Sequence, residues 1–223
     1  MIPLKDKNPT RRVPYVTFLI IGMNIAAFVF ELSLGEALPG FLERFGVIPS
    51  RVAATVSGEM FSIVSLGTLF SSMFLHGGWL HLGGNMLYMW VFGDNVEDKL
   101  GHGRFIIFYL FCGLASAALH IAVDPSSLIP TIGASGAIAG VLGAYIIMFP
   151  RARVVTLIPI FVFIHIAELP ALLVLGLWFV LQFFNGILAL GNVSADVGGV
   201  AWWAHIGGFA TGILLVKPFR RYA

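Results

Sequence analysis

The chain has 223 residues, 58% of them hydrophobic and 11% charged, with a formal net charge of +2. Globular chains run at about 45–50% apolar and about 25% charged, so a water-soluble fold could not hide this much apolar surface. The near-neutral balance gives no basic footprint for nucleic acid, and a single cysteine, Cys112, excludes an internal disulfide or a cysteine metal cluster.

The expected elements run as follows. Residues 1–13 form a basic, polar arm, and no cleavable apolar segment precedes the first apolar run, about Pro14 to Leu34. That first span is expected to direct insertion. A long connection, 35–67, mixes apolar residues with Arg44, Arg51 and Glu59; it is too broken to span and suits short interfacial helices. The second span runs from about Thr68 to Phe92, and GDNVEDKLGHGR (93–104) reads as a turn. A third span covers about Phe105 to Val123 and a fourth about Ile132 to Phe149, ended by Pro150. A basic, proline-containing linker (150–170) is apolar enough from Val155 to Ile166 to lie against the membrane. The fifth span is about Pro170 to Leu190, the loop GNVSADVGG follows, and the sixth is about Val200 to Val216.

The expected fold is therefore an all-α membrane protein, a six-transmembrane-helix bundle with a long outer loop between helices 1 and 2. It forms one domain over 1–223, with the arm at 1–13, the core at 14–217 and a tail at 218–223. With a cytoplasmic N-terminus, eleven of the thirteen Lys and Arg fall inside and only Arg44 and Arg51 outside. The expected location is a plasma (inner) membrane, with both termini cytoplasmic. The second, fourth and sixth spans then all begin at the outer face.

Polar groups in hydrocarbon are costly, so each needs a reason. Three clusters lie near the outer ends of their spans. In HGGWLHLGGN (76–85), His81 and Asn85 are four apart and share one helix face. In GASGAIAG (133–140), Ser135 sits in the first turn of the fourth span. In AHIGGFATG (204–212), His205 sits about one turn into the sixth. At 1.5 Å per residue, Ser135 and His205 both lie on the order of 5–8 Å from their helix starts. Equal depth is the precondition for contact. Gly133, Gly136, Gly140 and Gly143 on one span, and Gly208 and Gly212 on the other, let the two backbones approach closely.

A serine hydroxyl needs an adjacent base to become a nucleophile, and acyl transfer needs donors for the oxyanion. His205 supplies the base. His81, Asn85 and the Ser135 N–H at a helix N-terminus are candidate donors. No carboxylate lies at the same depth to orient the base; the nearest, Asp196, belongs to a loop, so the pattern reads as a Ser–His dyad.

Taken together, GASG (133–136), AHxxGxxxG (204–212) and HxxxxHxxxN (76–85), in this order on these spans, resemble the rhomboid intramembrane serine proteases. The resemblance covers nearly the whole chain. It implies Ser135 as nucleophile, His205 as general base and His81 and Asn85 as oxyanion-hole donors. His76 takes a structural or water-organising role, with Gly133, Gly136, Gly208 and Gly212 supporting. GDNVEDKLG (93–101) resembles the family's GxxxExxxG turn, with Glu97 as its acid. It also implies a cap over the site from the loop 191–199, and substrate access flanked by the second and fifth spans. Two features depart from the family pattern. No Trp-Arg pair occurs between 35 and 67, which leaves the anchoring of that loop unexplained. Ala139 stands where many members carry a tyrosine packed on the base, so His205 must be oriented by another residue, such as a different aromatic.

Of the remaining polar residues, His120 reads as buried and satisfied, and His102 and His165 as solvated or interfacial. Asn24, Glu31 and Gln182 read as helix cross-links or boundary residues. Trp202 and Trp203 suit an outer aromatic belt, with a substrate-lining role as the alternative. A catalytically inactive relative that binds membrane-protein clients would lack the serine or the histidine. A metal-dependent intramembrane protease would need HExxH, which is absent, and an aspartyl one needs acids within spans. A transporter would more often show repeats or a polar stripe through the full thickness. The expected activity is serine endopeptidase cleavage of transmembrane segments near the outer face, with no cofactor and no metal. The partners are single-span or multi-span membrane-protein substrates in the lipid bilayer, and no nucleic acid.

Overall fold

A computed structural model describes residues 1–160, 163–191 and 201–220. A short strand, β1 (Ile2–Asp6), precedes the first long helix, α1 (Tyr15–Ser33). Three short helices follow: α2 (Leu38–Phe45), α3 (Pro49–Ser57) and α4 (Ile63–Ser71). Then come α5 (Trp79–Leu100), α6 (His102–Val123) and α7 (Ser135–Met148). The strands β2 (Arg153–Ile160) and β3 (Phe163–Pro170) lead into α8 (Ala171–Gly191), and α9 (Trp202–Phe219) closes the described chain.

Among the described residues, three helices, α1, α6 and α8, are long and apolar enough to cross a bilayer, and the count reaches four if the bent α4–α5 pair is taken as one span. The chain is thus a mostly helical membrane protein. At 14 residues, α7 is only ~21 Å long, against a hydrocarbon core of ~30 Å. It sits at the centre of the bundle, with every residue from Gly136 to Ile146 buried. Its most extensive contact is with α9, followed by α6 and α5. The exposed apolar surface lies on the outer helices instead, as at Leu173, Leu177, Leu181 and Phe184 on α8.

The all-α expectation is corrected by a three-stranded antiparallel sheet, in the order β1-β2-β3. It occupies the segments read as an arm and a linker. Arg153–Ile160 (RVVTLIPI) is rich in β-branched residues, which favour a pleated, half-buried surface. Val154 and Thr156 are both fully buried, two residues apart, as one face of a strand requires. The apolar linker is thus a strand pair, buried at Val154 and Thr156 and exposed at Ile160, Phe163, Ile164 and Ile166.

The second expected span is corrected too. The axis bends by 78° between Ile63–Phe74 and Trp79–Leu100, so residues 75–78 form a break, and His76 lies in it rather than in a span. Gly78 adopts an extended φ of 159° at the start of α5. The expected turn at 93–104 is narrower: α5 continues through Leu100 and only Gly101, at φ 79°, separates it from α6. Glu97 lies inside the helix and reaches the start of α1. Its carboxylate accepts from Val16 N–H (2.9 Å), Thr17 N–H (2.7 Å) and the Thr17 hydroxyl (2.6 Å). These are backbone donors that the first turn of a helix leaves unpaired, and α1 has no side-chain cap of its own.

The connection between α1 and α5 is anchored without the Trp-Arg pair. Val47 and Thr131 exchange backbone hydrogen bonds of 3.0 and 2.7 Å, and Ser50 N–H donates to Ser127 O. The Ser71 hydroxyl donates to Phe45 O (2.7 Å), and Arg51 pairs with Glu43. At the opposite end of the bundle, β1, the α5–α6 junction, the β2–β3 hairpin and the end of α9 converge. Lys7 pairs with Glu168 at 2.5 Å, and Arg104 donates to the Arg220 carbonyl at 3.3 Å.

Candidate active site

Ser135 is the first residue of α7 and His205 the fourth of α9. The His205 imidazole Nε2 lies 2.7 Å from Ser135 Oγ. The close approach rests on glycine. A Cβ on Gly208 would fall 1.9 Å from Gly136 O, and one on Gly212 would fall 1.9 Å from Gly140 O. No residue larger than glycine fits there without separating the helices. A Cβ on Gly136 would meet Ser116 Oγ of α6 at 1.9 Å, so three helices close on the same point.

Gly133 makes the second approach. Its φ of 125° lies in the region that suits glycine, and its N–H donates to Ser72 O at 2.8 Å. A Cβ there would sit 2.7 Å from His81 Nε2 and 3.6 Å from Ser135 Oγ. The absent side chain therefore leaves the His81 imidazole next to the serine. Gly77 N–H points to His81 Nδ1 at 3.4 Å. That contact makes Nδ1 the acceptor and leaves the proton on Nε2, the nitrogen facing Gly133.

Asn85 is buried one turn further along α5, with its Nδ2 2.9 Å from His76 Nε2. An amide N–H can only donate, so His76 Nε2 accepts and Nδ1 keeps its proton, directed at Phe74 O (3.3 Å). The His76 main-chain N–H is held by Glu31 of α1, whose two carboxylate oxygens each lie 3.2 Å away. Glu31 is buried, and its cross-link is to the break that carries His76. His120 is only half satisfied: Nε2 pairs with Thr131 Oγ1 at 3.0 Å, while Nδ1 is buried with no partner among the described residues. Beside Ser135 lies a cavity of about 30 Å³, bordered by Ser116, His120, Thr131, Gly133 and Ala204.

Two contacts to His205 come from α8. Gln182 Oε1 lies 2.7 Å from His205 Nδ1, and the Trp178 ring centroid lies 5.8 Å from the imidazole, tilted by 36°. Trp202 meets the imidazole edge-on at 6.3 Å. Gln182, expected as a helix cross-link or boundary residue, does cross-link α8 to α9, and its partner is the imidazole itself. Its spacing of four from Trp178, in a span whose other polar residue is Asn185, was the available signal. Asp196 and the expected cap at 191–199 lie outside the described residues, apart from Gly191 at the end of α8.

The family profile "Rhomboid domain" matches residues 64–222, which includes all three polar clusters. The chain belongs to the rhomboid family. Among curated rhomboid relatives it is similar to Rhomboid protein 1, mitochondrial, of Saccharomyces cerevisiae, at 29% identity over 89% of this chain and 51% of that protein. It is 33% identical to Rhomboid protease GluP of Bacillus subtilis over 59% of this chain and 24% of GluP. RHOMBOID-like protein 5 of Arabidopsis thaliana matches at 28% over 94% of this chain and 61% of that protein. The chain thus spans from about a quarter to about three fifths of the length of these three rhomboid proteins.

Proposed function

We propose that this chain is an intramembrane serine endopeptidase, a single rhomboid domain over 1–223 that crosses the membrane six times. The observation that carries this reading is the 2.7 Å separation of Ser135 Oγ and His205 Nε2, from two helices packed through glycine. The family supports it, since one relative is named a rhomboid protease. In the proposed reaction, His205 Nε2 takes the hydroxyl proton as Oγ attacks the substrate carbonyl. The same proton then passes to the leaving amine. Water hydrolyses the acyl-enzyme by the reverse sequence.

The oxyanion is received by His81 Nε2–H, by the second amide hydrogen of Asn85 and by the N–H of Ser135. Asn85 has two amide hydrogens and spends one on His76. Ser135 begins a helix, where the N–H groups are unpaired and the dipole favours negative charge. The pocket of about 30 Å³ beside the nucleophile supports a small side chain at the cut. Because helical backbone hides its carbonyls in hydrogen bonds, the substrate segment should unwind easily. The substrates are single-span or multi-span membrane proteins.

Positive residues at Lys5, Lys7, Arg104, Arg153 and Arg220, in elements that converge at one end, support cytoplasmic termini and a site near the outer face. The proposed location is a plasma membrane. The test is cleavage of a panel of single-span substrates in liposomes. Wild type should cut, and Ser135→Ala and His205→Ala should fall to background. Equal cleavage by all three would end the proposal.

A further inference from the structure

We infer that Gln182 is the positioning residue for the general base, holding His205 in the one tautomer that can accept the serine proton. The inference rests on the reading of Ser135 and His205 as the reacting pair. A neutral imidazole carries one N–H and one lone pair. A base facing Ser135 must present its lone pair at Nε2, so the proton must sit on Nδ1. The group 2.7 Å from Nδ1 is the carbonyl oxygen of Gln182, which can only accept. The other tautomer would set the Nδ1 lone pair against the Oε1 lone pairs and turn an N–H toward Oγ. The amide therefore selects the working form.

Gln182 is itself only 8% exposed, in a helix whose neighbouring sequence is apolar. A buried amide needs a partner, and among the described residues its Oε1 has this one side-chain partner. An amide suits this depth better than a carboxylate, because a buried charge carries a desolvation penalty of several kcal/mol. It still holds the Nδ1–H when the proton from Oγ arrives at Nε2 and the ring becomes imidazolium. The Nε2 proton then leaves with the amine, and the ring returns to the tautomer it began in.

Trp178, four residues earlier on the same face of α8, lies over the imidazole and limits its rotation. Together these residues do what a tyrosine at the Ala139 position would do. Among the described residues, the Gln182 bond is the only side-chain hydrogen bond from α8 to another element. The base is therefore correctly set only while α8 is docked against α9. Among the described residues, the other titratable groups close enough to influence His205 are His81 on α5 and His120 on α6.

The test uses the full chain in liposomes, comparing wild type with Gln182→Leu, Gln182→Asn and Gln182→Glu. Gln182→Leu should lower kcat by about 10- to 100-fold, part of the 10²–10⁴ that a positioned base contributes, with KM little changed. Gln182→Glu keeps the size and the acceptor, so it should retain most of the activity. Its acid limb in the pH profile of kcat/KM should move to higher pH, because a carboxylate favours imidazolium. A residue that merely packs would not move that limb. ¹⁵N spectra of His205 should show the proton on Nδ1 in wild type and a mixture in Gln182→Leu. If Gln182→Leu does not fold, Gln182→Glu and Gln182→Asn carry the test. Wild-type kcat, pH profile and tautomer in every folded variant, with Ser135→Ala inactive, would overturn the role of Gln182 and leave the proposed activity standing. An inactive wild type would remove both.

Discussion

The Tyr145 hydroxyl donates to the Asp6 carboxylate at 2.6 Å, joining the helix that begins with Ser135 to the N-terminal strand. The same carboxylate oxygen accepts from Asn95 Nδ2 at 2.9 Å. Three elements distant in sequence, β1, α5 and α7, are thus fixed to one another at the end of the bundle opposite the serine. The far end of α7 is held by a titratable group.

Burial raises the Asp6 pKa from 3.8 to about 6, opposed by the Tyr145 hydrogen bond and assisted by nearby Asp94. The folded protein therefore binds this proton more tightly than the unfolded chain. Its stabilising effect is complete below the unfolded value and is lost as pH rises through about 6. The expected result is a wild-type thermal midpoint in detergent that falls, relative to Asp6→Asn, between about pH 5 and about pH 7.5. Parallel curves for the two proteins would show that Asp6 ionises as freely when folded.

Gly212 faces Gly140 with no room for a side chain. Gly212→Ala should cost about 1–3 kcal/mol of stability and also displace α9 from α7, so His205 moves away from Ser135. Stability and cleavage rate should fall together. Gly176, by contrast, has no heavy atom within 4 Å of an added Cβ, so Gly176→Ala should be near neutral in a thermal scan. Equal behaviour of the two variants would contradict the packing account.

Glu97 satisfies two backbone N–H groups and one hydroxyl of α1. Glu97→Ala leaves these donors unpaired, those of Thr17 in a buried position, at about 1–3 kcal/mol for such a group. Thr17→Val removes one of the three and should cost less, about 1 kcal/mol. Thermal unfolding of both variants in detergent gives the ordering. A Thr17→Val effect equal to that of Glu97→Ala would show that the backbone donors find other partners.

Asn85→Ala removes a proposed oxyanion donor and leaves His76 Nε2 without its partner. The kcat should drop about 10²-fold, the scale measured for one such donor, with KM little altered. A His81→Ala variant should fall by a similar factor. Loss through KM alone would mean these residues bind substrate rather than the transition state.

Much of this arrangement was readable in the residues because polar groups inside apolar spans are rare enough to be informative. The spacing of His81 and Asn85, the equal depth of Ser135 and His205 and the facing glycines all follow from helix periodicity. What was misread has a common physical origin. Val155 to Ile166 is both apolar and β-branched, and hydropathy alone does not show that such a segment pairs as strands. Composition suggested a turn at 93–104 because Gly, Asp and Asn cluster there, yet tertiary contacts from Glu97 and Asn95 keep the helix going to Leu100. Gln182 was seen as polar and misplaced in importance, since its partner lies 23 positions away on another helix.

The most direct measurement is intact-mass and peptide mapping after treatment with a fluorophosphonate, which reacts with an activated serine hydroxyl. The account predicts a single adduct on Ser135 in wild type, its formation strongly slowed in His205→Ala and absent in Ser135→Ala. An adduct on another residue, or labelling of Ser135 at the same rate without His205, would contradict it.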